Sequence, residues 1–159
     1  MADSQAALRE HLLYLLQGGG AHAKFKDAVA DLPTKLRGVR PEGMEASPWG
    51  VLEHMRLAQA DIVEFCVNRD YREKEFPDDY WPESDAPPDA RAWDKSVKAF
   101  ETDLGEMCKL VKNPHTDLYA KIPWGDGQTY LRESLLVADH NAYHLGQMIA
   151  LRRLLGAWK

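Results

Sequence analysis

Cysteine is scarce in this chain, which has only Cys66 and Cys108 among its 159 residues. The two lie far apart in sequence and form neither a Cys-x-x-Cys motif nor a disulfide framework. We therefore interpret both as buried small hydrophobic residues rather than as redox groups.

Long apolar runs are also missing from the sequence. A membrane-spanning helix needs a run of about eighteen apolar residues, and no such run occurs. Residues 1–16 mix charged with apolar side chains and lack the basic start, apolar run and small-residue cleavage site of a signal peptide. These absences predict a cytoplasmic protein that has no membrane partner.

An excess of positive charge is absent as well. The formal net charge is -5 and the sequence pI is about 5.7, whereas binding to nucleic acid requires a clustered cationic surface. The nearest approach to a basic patch, Lys35, Arg37 and Arg40, is interrupted by Gly38 and Pro41. Nucleic acid is therefore not an expected partner.

What the chain does have is helical periodicity, divided by loops rich in proline and glycine. Its length and its hydrophobic fraction of 45% fit one globular domain, residues 1–159. Ser47 and Thr129 are placed as helix N-caps, and Gly18 to Gly20 should break or kink the first helical region. The predicted helical regions are 4–31, 48–68, 89–112 and 130–155, and the long loops are 70–88 and 114–128. This pattern predicts an all-α fold, a four-helix bundle with long crossover loops.

The residues that could carry chemistry are histidines. His140 and His144 are four residues apart, so both imidazoles lie on one face of the last helix, and that mostly apolar face should point into the core. His54 lies on an apolar stripe of the second long helical region and should also point inward. Three neutral imidazoles suit a divalent transition metal such as zinc or nickel, and they leave a coordination position open for water or substrate. The alternative is three core histidines held by ordinary hydrogen bonds.

Two segments of the chain resemble the DinB/YfiT-like superfamily of metal-binding four-helix bundles. One is Ser-Pro-Trp-Gly-Val-Leu-Glu-His at 47–54, and the other is Asp-His-Asn-Ala-Tyr-His-Leu-Gly-Gln at 139–147. The resemblance extends over most of the chain and implies a metal site on His54, His140 and His144. It also implies a small-molecule substrate, a low-molecular-weight thiol cosubstrate such as bacillithiol or mycothiol, and a homodimer.

Five further residues are candidates for the surroundings of the metal. His22 could be a fourth ligand, a proton carrier or a substrate contact, or it could lie at the surface. Asp61, two turns beyond the first ligand on the same helix, could orient that ligand or form a polar pocket wall. Gln147 could donate a hydrogen bond to a metal-bound water or a substrate, or could bond between helices. Trp49 and Trp124 could line a substrate entrance, or could simply pack.

The function predicted from these residues is a metal-dependent small-molecule enzyme, a thiol-dependent S-transferase of the detoxification type. In such chemistry a metal favours the thiolate form of the thiol, which then attacks an electrophilic small molecule. The first alternative is a metal-dependent hydrolase, which needs a general base such as His22, Asp61 or a flanking carboxylate. The second alternative is a non-enzymatic bundle that binds a metal or a small ligand.

Overall fold

The structure is a computed structural model, and residues 4–158 of the chain are described. Within these residues it contains five α-helices and no β-strand, which confirms the predicted all-α class. None of the described helices has the length and apolar character that crossing a lipid bilayer requires. Residues 1–3 and 159 lie outside the described residues. They belong to the predicted domain, and residues 1–3 also belong to the N-terminal segment that is predicted not to be a signal peptide. The helices are α1 (Ser4–Gln17), α2 (Phe25–Val29), α3 (Pro48–Val67), α4 (Ala92–Lys112) and α5 (Tyr130–Leu154).

The glycine run separates α1 from α2. Gly18 and Gly19 have φ angles of 65° and 87°, which lie in the left-handed region that residues with a Cβ rarely adopt. A Cβ atom on Gly20 would also overlap the side chain of Tyr14. The chain therefore leaves α1 at Gln17, and the predicted helical region 4–31 is broken into two helices rather than kinked.

Capping residues set the start of the two helices that carry the histidines. The Ser47 hydroxyl accepts a hydrogen bond from the Gly50 amide at 3.0 Å, and Pro48 takes the first helical position, where an amide N–H would lack a partner. The Thr129 hydroxyl accepts a hydrogen bond from the Arg132 amide at 3.1 Å. Both predicted caps are confirmed, and they fix the register of the histidines that follow them.

Helix α4 begins later than the predicted residue 89. The Asp89 carboxylate accepts a hydrogen bond from the Arg91 amide at 2.7 Å, and the Asp89 carbonyl accepts one from the Ala92 amide at 3.2 Å. These bonds form a turn that precedes the helix. The first residue of α4 is therefore Ala92.

The long helices pack side by side. Helix α3 contacts α4 and α5, α1 contacts the same two helices, and α2 lies against α5. Arg152 of α5 is buried and fixes α2, since its guanidinium donates hydrogen bonds to the carbonyls of Asp27, Ala28 and Ala30. Two apolar clusters form the core, the first including Phe25, Leu52, Phe100 and Met148, and the second including Leu12, Val63, Met107 and Val137.

The two cysteines are buried and unpaired, in agreement with their interpretation as small hydrophobic residues. Burial raises the pKa of the Cys66 thiol to about 12, and the charge of Glu133 adds to this effect. Burial also raises the pKa of Cys108. Neither cysteine therefore offers a thiolate nucleophile at neutral pH.

Candidate metal centre

Three histidines from two helices meet at one point. His54 on α3 and His140 and His144 on α5 each place a ring nitrogen within 4.8 Å of the other two. The Nε2 atom of His54 is 3.1 Å from the Nε2 atom of His140 and 3.1 Å from that of His144. His54 and His144 are buried, and His140 is partly buried. The inward positions predicted for the three side chains thus bring their imidazoles together between α3 and α5.

Hydrogen bonds on the outer side of two rings determine where their protons lie. The Nδ1 atom of His54 is 2.9 Å from the carbonyl oxygen of Tyr80, and a carbonyl only accepts, so this Nδ1 carries a proton. The Nδ1 atom of His144 is 2.6 Å from Oε1 of Gln147, so it donates as well. In neutral rings, both Nε2 atoms then hold a lone pair. Two lone pairs therefore lie 3.1 Å apart, which is repulsive unless a cation or a hydrogen-bond donor lies between them.

The histidines favour the neutral form. Burial lowers the pKa of His54 and His144, although the hydrogen bonds to Tyr80 and Gln147 act in the opposite direction. Burial, together with the charges of the two neighbouring histidines, lowers the pKa of His140 to about 4. A proton is therefore poorly held among these rings at neutral pH. Neutral imidazole is the form that binds a metal.

The spacing of the nitrogens fits a single transition-metal ion. Zinc lies about 2.0–2.1 Å from an imidazole nitrogen, so two nitrogens of a tetrahedral site are about 3.3 Å apart. The separations of 3.1 Å from His54 to its two partners are close to that value. Among the described residues, no other group of three or more histidine, cysteine, aspartate or glutamate side chains converges in this way. The cluster could hold one divalent metal ion.

The loop between α3 and α4 covers one side of the cluster. The Trp81 ring stacks on the His54 ring, with centroids 4.0 Å apart and planes inclined by 6°. The hydroxyl of Tyr80 donates a hydrogen bond to Asp61 at 2.7 Å, and the hydroxyl of Tyr71 donates one to the other Asp61 oxygen at 3.0 Å. Burial and the charge of Asp61 raise the pKa of both tyrosines, so they stay donors. Asp61 thus orients His54 indirectly, through the loop that supplies the Tyr80 carbonyl.

Cavities adjoin the cluster on two sides. The larger has a volume of about 520 Å³, and His54 and His140 form part of its wall. The smaller has a volume of about 340 Å³, and His144, Gln147 and Trp81 are among its lining residues. Small molecules therefore have room on both sides of the histidines.

Three of the five residues predicted to surround the metal lie at this site. Asp61 lines the larger cavity and also holds the covering loop. Trp124 lines the same cavity, and its indole N–H donates to the Phe65 carbonyl at 2.7 Å. Gln147 contacts His144 directly. Its amide oxygen therefore orients one of the three histidines, a contact within α5 that differs from both predicted alternatives, a bond to water or substrate and a bond between helices.

Neither His22 nor Trp49 lines the two cavities beside the histidine cluster. Trp49 is 5% exposed and packs in the first apolar cluster, so the packing alternative describes it. His22 is exposed, and its Nδ1 is 2.9 Å from the Ala23 carbonyl oxygen, in the segment between α1 and α2. The sequence could not place His22, because tertiary packing decides where the chain goes after a glycine break.

One buried carboxylate at the site, Glu133, was not predicted from the sequence. Its side chain is 2% exposed, and it lines the larger cavity. A signal was present, since Glu133 precedes His140 by two helical turns and so shares its face of α5. The Tyr80 carbonyl that orients His54 left no comparable signal, because every residue has a carbonyl.

Comparisons with known proteins do not identify the chain. No protein-family model matches it, and neither the curated proteins nor the solved structures contain a match to it. The resemblance to the DinB/YfiT-like superfamily therefore rests on the segments 47–54 and 139–147, and it stays a prediction.

Proposed function

We propose that this protein binds one divalent transition metal, zinc or nickel, through the imidazoles of His54, His140 and His144. The observation that carries the proposal is the 3.1 Å approach of the Nε2 atoms of His54 and His144, whose Nδ1 atoms are engaged by the Tyr80 carbonyl and by Gln147. The low pKa of His140 supports it, because a proton is then a weak competitor for the site. Three protein ligands leave a coordination position open, which is typical of reactive rather than structural metal sites.

The contacts around the ligands are those that a metal site needs. The Tyr80 carbonyl and the Trp81 ring hold His54, and the Gln147 side chain holds His144. Partners of this kind fix the ring orientation and raise the basicity of the ligand, and they are commonly worth about 10- to 100-fold in metal affinity. When bound, the metal would supply Lewis acidity that favours the thiolate form of a thiol at neutral pH.

We propose S-transfer from a low-molecular-weight thiol to a small electrophile as the reaction. Two cavities beside the histidines offer space for two reactants, and the chain's own cysteines are buried with a raised pKa. The thiol therefore has to come from a cosubstrate. Its sulfur electron pair forms the new sulfur–carbon bond, the leaving group departs with the electron pair of its bond to carbon, and the thiol proton passes to water. The chain's residues hold and orient the two reactants in the cavities and limit the access of water.

Hydrolysis is a second candidate, and the position of Glu133 favours it. A hydrolase needs a general base that reaches the reacting water directly or through a second water molecule. Glu133 is a buried carboxylate in the wall that also contains His54 and His140. Asp61 is less suited to this role, because two tyrosine hydroxyls already occupy its oxygens. A module that binds a metal or a ligand without turnover is the third candidate.

We also propose that the fold is a four-helix bundle of the DinB/YfiT-like type. Four long helices, α1, α3, α4 and α5, with mutual contacts and a long loop between α3 and α4, suit a DinB/YfiT-like four-helix bundle. A cytoplasmic homodimer would complete the resemblance. Exposed apolar side chains on α1 and α5, including Tyr14, Leu15 and Tyr143, would be available for dimer contacts.

The first experiment is elemental analysis of protein purified without a metal-affinity tag, beside the His54→Ala variant. We expect about one equivalent of zinc or nickel in the wild type and far less in the variant. The absence of metal after reconstitution of the wild type would overturn the metal function.

The reaction is then tested with the metal-loaded protein. Chlorodinitrobenzene is offered as electrophile with cysteine, cysteamine or glutathione, and nitrophenyl acetate is offered without thiol. Thiol-dependent conjugation above the uncatalysed rate, lost in His54→Ala, would support S-transfer. Ester turnover without thiol would favour the hydrolase. Stoichiometric metal with neither activity would favour the binding module.

A further inference from the structure

The wall of the larger cavity carries an excess of negative charge. Four carboxylates line it, whereas Arg132 is the only arginine or lysine among its lining residues. The carboxylates belong to Asp61, Glu73, Asp126 and Glu133. Such a wall attracts cations and repels anions, and the low-dielectric surroundings of a cavity strengthen both effects.

Glu133 is the buried carboxylate of this wall that has capacity left for a ligand. Its side chain is 2% exposed, whereas that of its ion-pair partner Arg132 is 58% exposed. Arg132 donates to Oε1 at 2.6 Å, and no described residue donates a hydrogen bond to Oε2. Burying a carboxylate is costly unless its oxygens are paired, and a guanidinium mostly in water compensates weakly. A donor from a ligand would complete the pairing.

Two other polar residues of the same cavity wall support the choice of Glu133. Asp61 is already saturated, because the Tyr71 and Tyr80 hydroxyls occupy its two oxygens and the Lys74 ammonium lies 3.8 Å away. The amide oxygen of Gln128 is buried and has no hydrogen-bond partner. Besides its exposed carboxylates, the cavity therefore presents Oε2 of Glu133 and the amide oxygen of Gln128 as acceptors that lack a donor. An ammonium or guanidinium group has donors only and suits this arrangement.

Aromatic rings complete a surface suited to an organic cation. Phe65, Tyr71, Tyr80 and Trp124 line the cavity, and the faces of such rings attract cations and cover the apolar part of a ligand. Glu133 lies two turns before His140 on α5, so about 10 Å along the helix axis separates them. A ligand of that length could reach both the histidines and Glu133.

We propose that the larger cavity binds a substrate with a cationic group, an organic amine or guanidine, whose cation pairs with Glu133 while its reacting end lies at the histidine cluster. This inference rests on the proposed metal function for the role of the histidines. It excludes anionic small molecules as preferred occupants of this cavity.

The inference is tested by calorimetric binding of three thiols that share one hexyl stem and differ only at the far end. Aminohexanethiol carries a cation, hydroxyhexanethiol is neutral and mercaptohexanoic acid carries an anion. With zinc-loaded protein, we expect the amine to bind about tenfold more tightly than the alcohol. The acid should bind most weakly. Equal affinities for amine and alcohol in the wild type would overturn the inference without any variant.

Two matched variants test whether Glu133 causes the preference for the amine. Glu133→Gln keeps the shape and can still accept from Arg132 but removes the charge, so amine and alcohol should bind it about equally. Glu73→Gln removes the same charge from an exposed lining residue of the same cavity and should retain most of the preference. A preference that survives in Glu133→Gln would contradict the assignment to this residue. Circular dichroism verifies that both variants are folded.

Failure of the metal function is distinguishable from failure of this inference. Hexylamine, hexanol and hexanoate lack a strong metal ligand and are titrated into metal-free protein. A preference for hexylamine in protein that takes up no zinc would support the cation site and overturn the metal function. Stoichiometric zinc without any preference for the amine in either series would overturn the cation site alone.

Discussion

Helix α3 has buried polar side chains on the side that faces α4 and on the side that faces the larger cavity. The two sides differ in how completely the polar groups are paired by hydrogen bonds. Toward α4, the Glu53 oxygens accept hydrogen bonds from Arg56 at 2.9 and 2.8 Å, and Oε1 also accepts one from the Ser96 hydroxyl. Burial raises the pKa of Glu53, but the bonds from Arg56 and Ser96 outweigh it and the pKa is lowered. Gln59 donates to the Phe100 carbonyl at 2.7 Å. The α3 side chains on this side, Glu53 and Gln59, thus find partners within the chain.

Toward the cavity, Asp61 is paired with two tyrosine hydroxyls, but other polar groups are left incomplete. The Nε2 lone pairs of His54 and His144 lie 3.1 Å apart, and Oε2 of Glu133 receives no hydrogen bond from the described residues. A buried polar group that is paired stabilises the fold, whereas an unpaired one costs stability and calls for an explanation. We therefore propose a structural role for the α4 side and ligand binding for the cavity side. Substitutions on the two sides should separate these roles.

The largest effect is expected on the cavity side, from His140→Ala. This change removes one of the three nitrogen atoms that are proposed to bind the metal. The affinity for zinc should therefore fall by more than about 100-fold, which is the upper range for losing a contact that only orients a metal ligand. Helical content should be kept, because His140 is only partly buried. Zinc content by mass spectrometry and helicity by circular dichroism check both points. Full zinc occupancy in the variant would refute the metal assignment.

The next effect is expected on the α4 side, from Gln59→Ala. This change leaves the Phe100 carbonyl and the Asn141 amide without the partners seen at 2.7 and 2.8 Å. The free energy of unfolding should fall by about 2–3 kcal/mol, as measured by urea denaturation. Zinc content should stay at the wild-type level. A loss of zinc without a loss of stability would contradict the structural role proposed for the α4 side.

A smaller effect is expected from Gln147→Ala, again on the cavity side. The variant removes the acceptor of the His144 Nδ1–H group, which frees the ring to rotate and lowers its basicity. Zinc affinity, measured by competition with a chelator, should fall about 10-fold. The stability of the metal-free protein should change little, since Gln147 is only partly buried. Unchanged affinity would show that the contact does not orient the ring.

The remaining effect concerns pH and applies to the metal-free protein. The folded-state pKa of His140 is about 4 against an ordinary value of 6.5, so the unfolded chain binds more protons between these values. The stability that depends on neutral His140 is therefore fully present above pH 6.5 and is lost as pH falls toward 4. Urea denaturation at about pH 7 and about pH 5 measures this loss. His140→Gln should show a smaller loss than the wild type, and equal losses would contradict the prediction.

The sequence by itself determined the local features of this protein. Ser47 and Thr129 cap their helices through bonds to amides three residues away, so their role is readable from neighbouring residues. The helical repeat places His140 and His144 on one face for the same reason. The glycine run ends α1 because the backbone angles it adopts suit few other residues. Each of these outcomes depends on interactions within about one or two helical turns.

Only the tertiary structure decided what surrounds the histidines. His54 and His144 are 90 positions apart in sequence and His54 and Tyr80 are 26 apart, so no local pattern sets the tautomers that leave two lone pairs close together. The packing of α3 against α5 likewise placed Glu133 in the cavity wall, and the packing of the core enclosed Trp49. The physical reason is that burial and the pairing of distant polar groups depend on how whole helices and loops meet, which residue order along one helix does not specify.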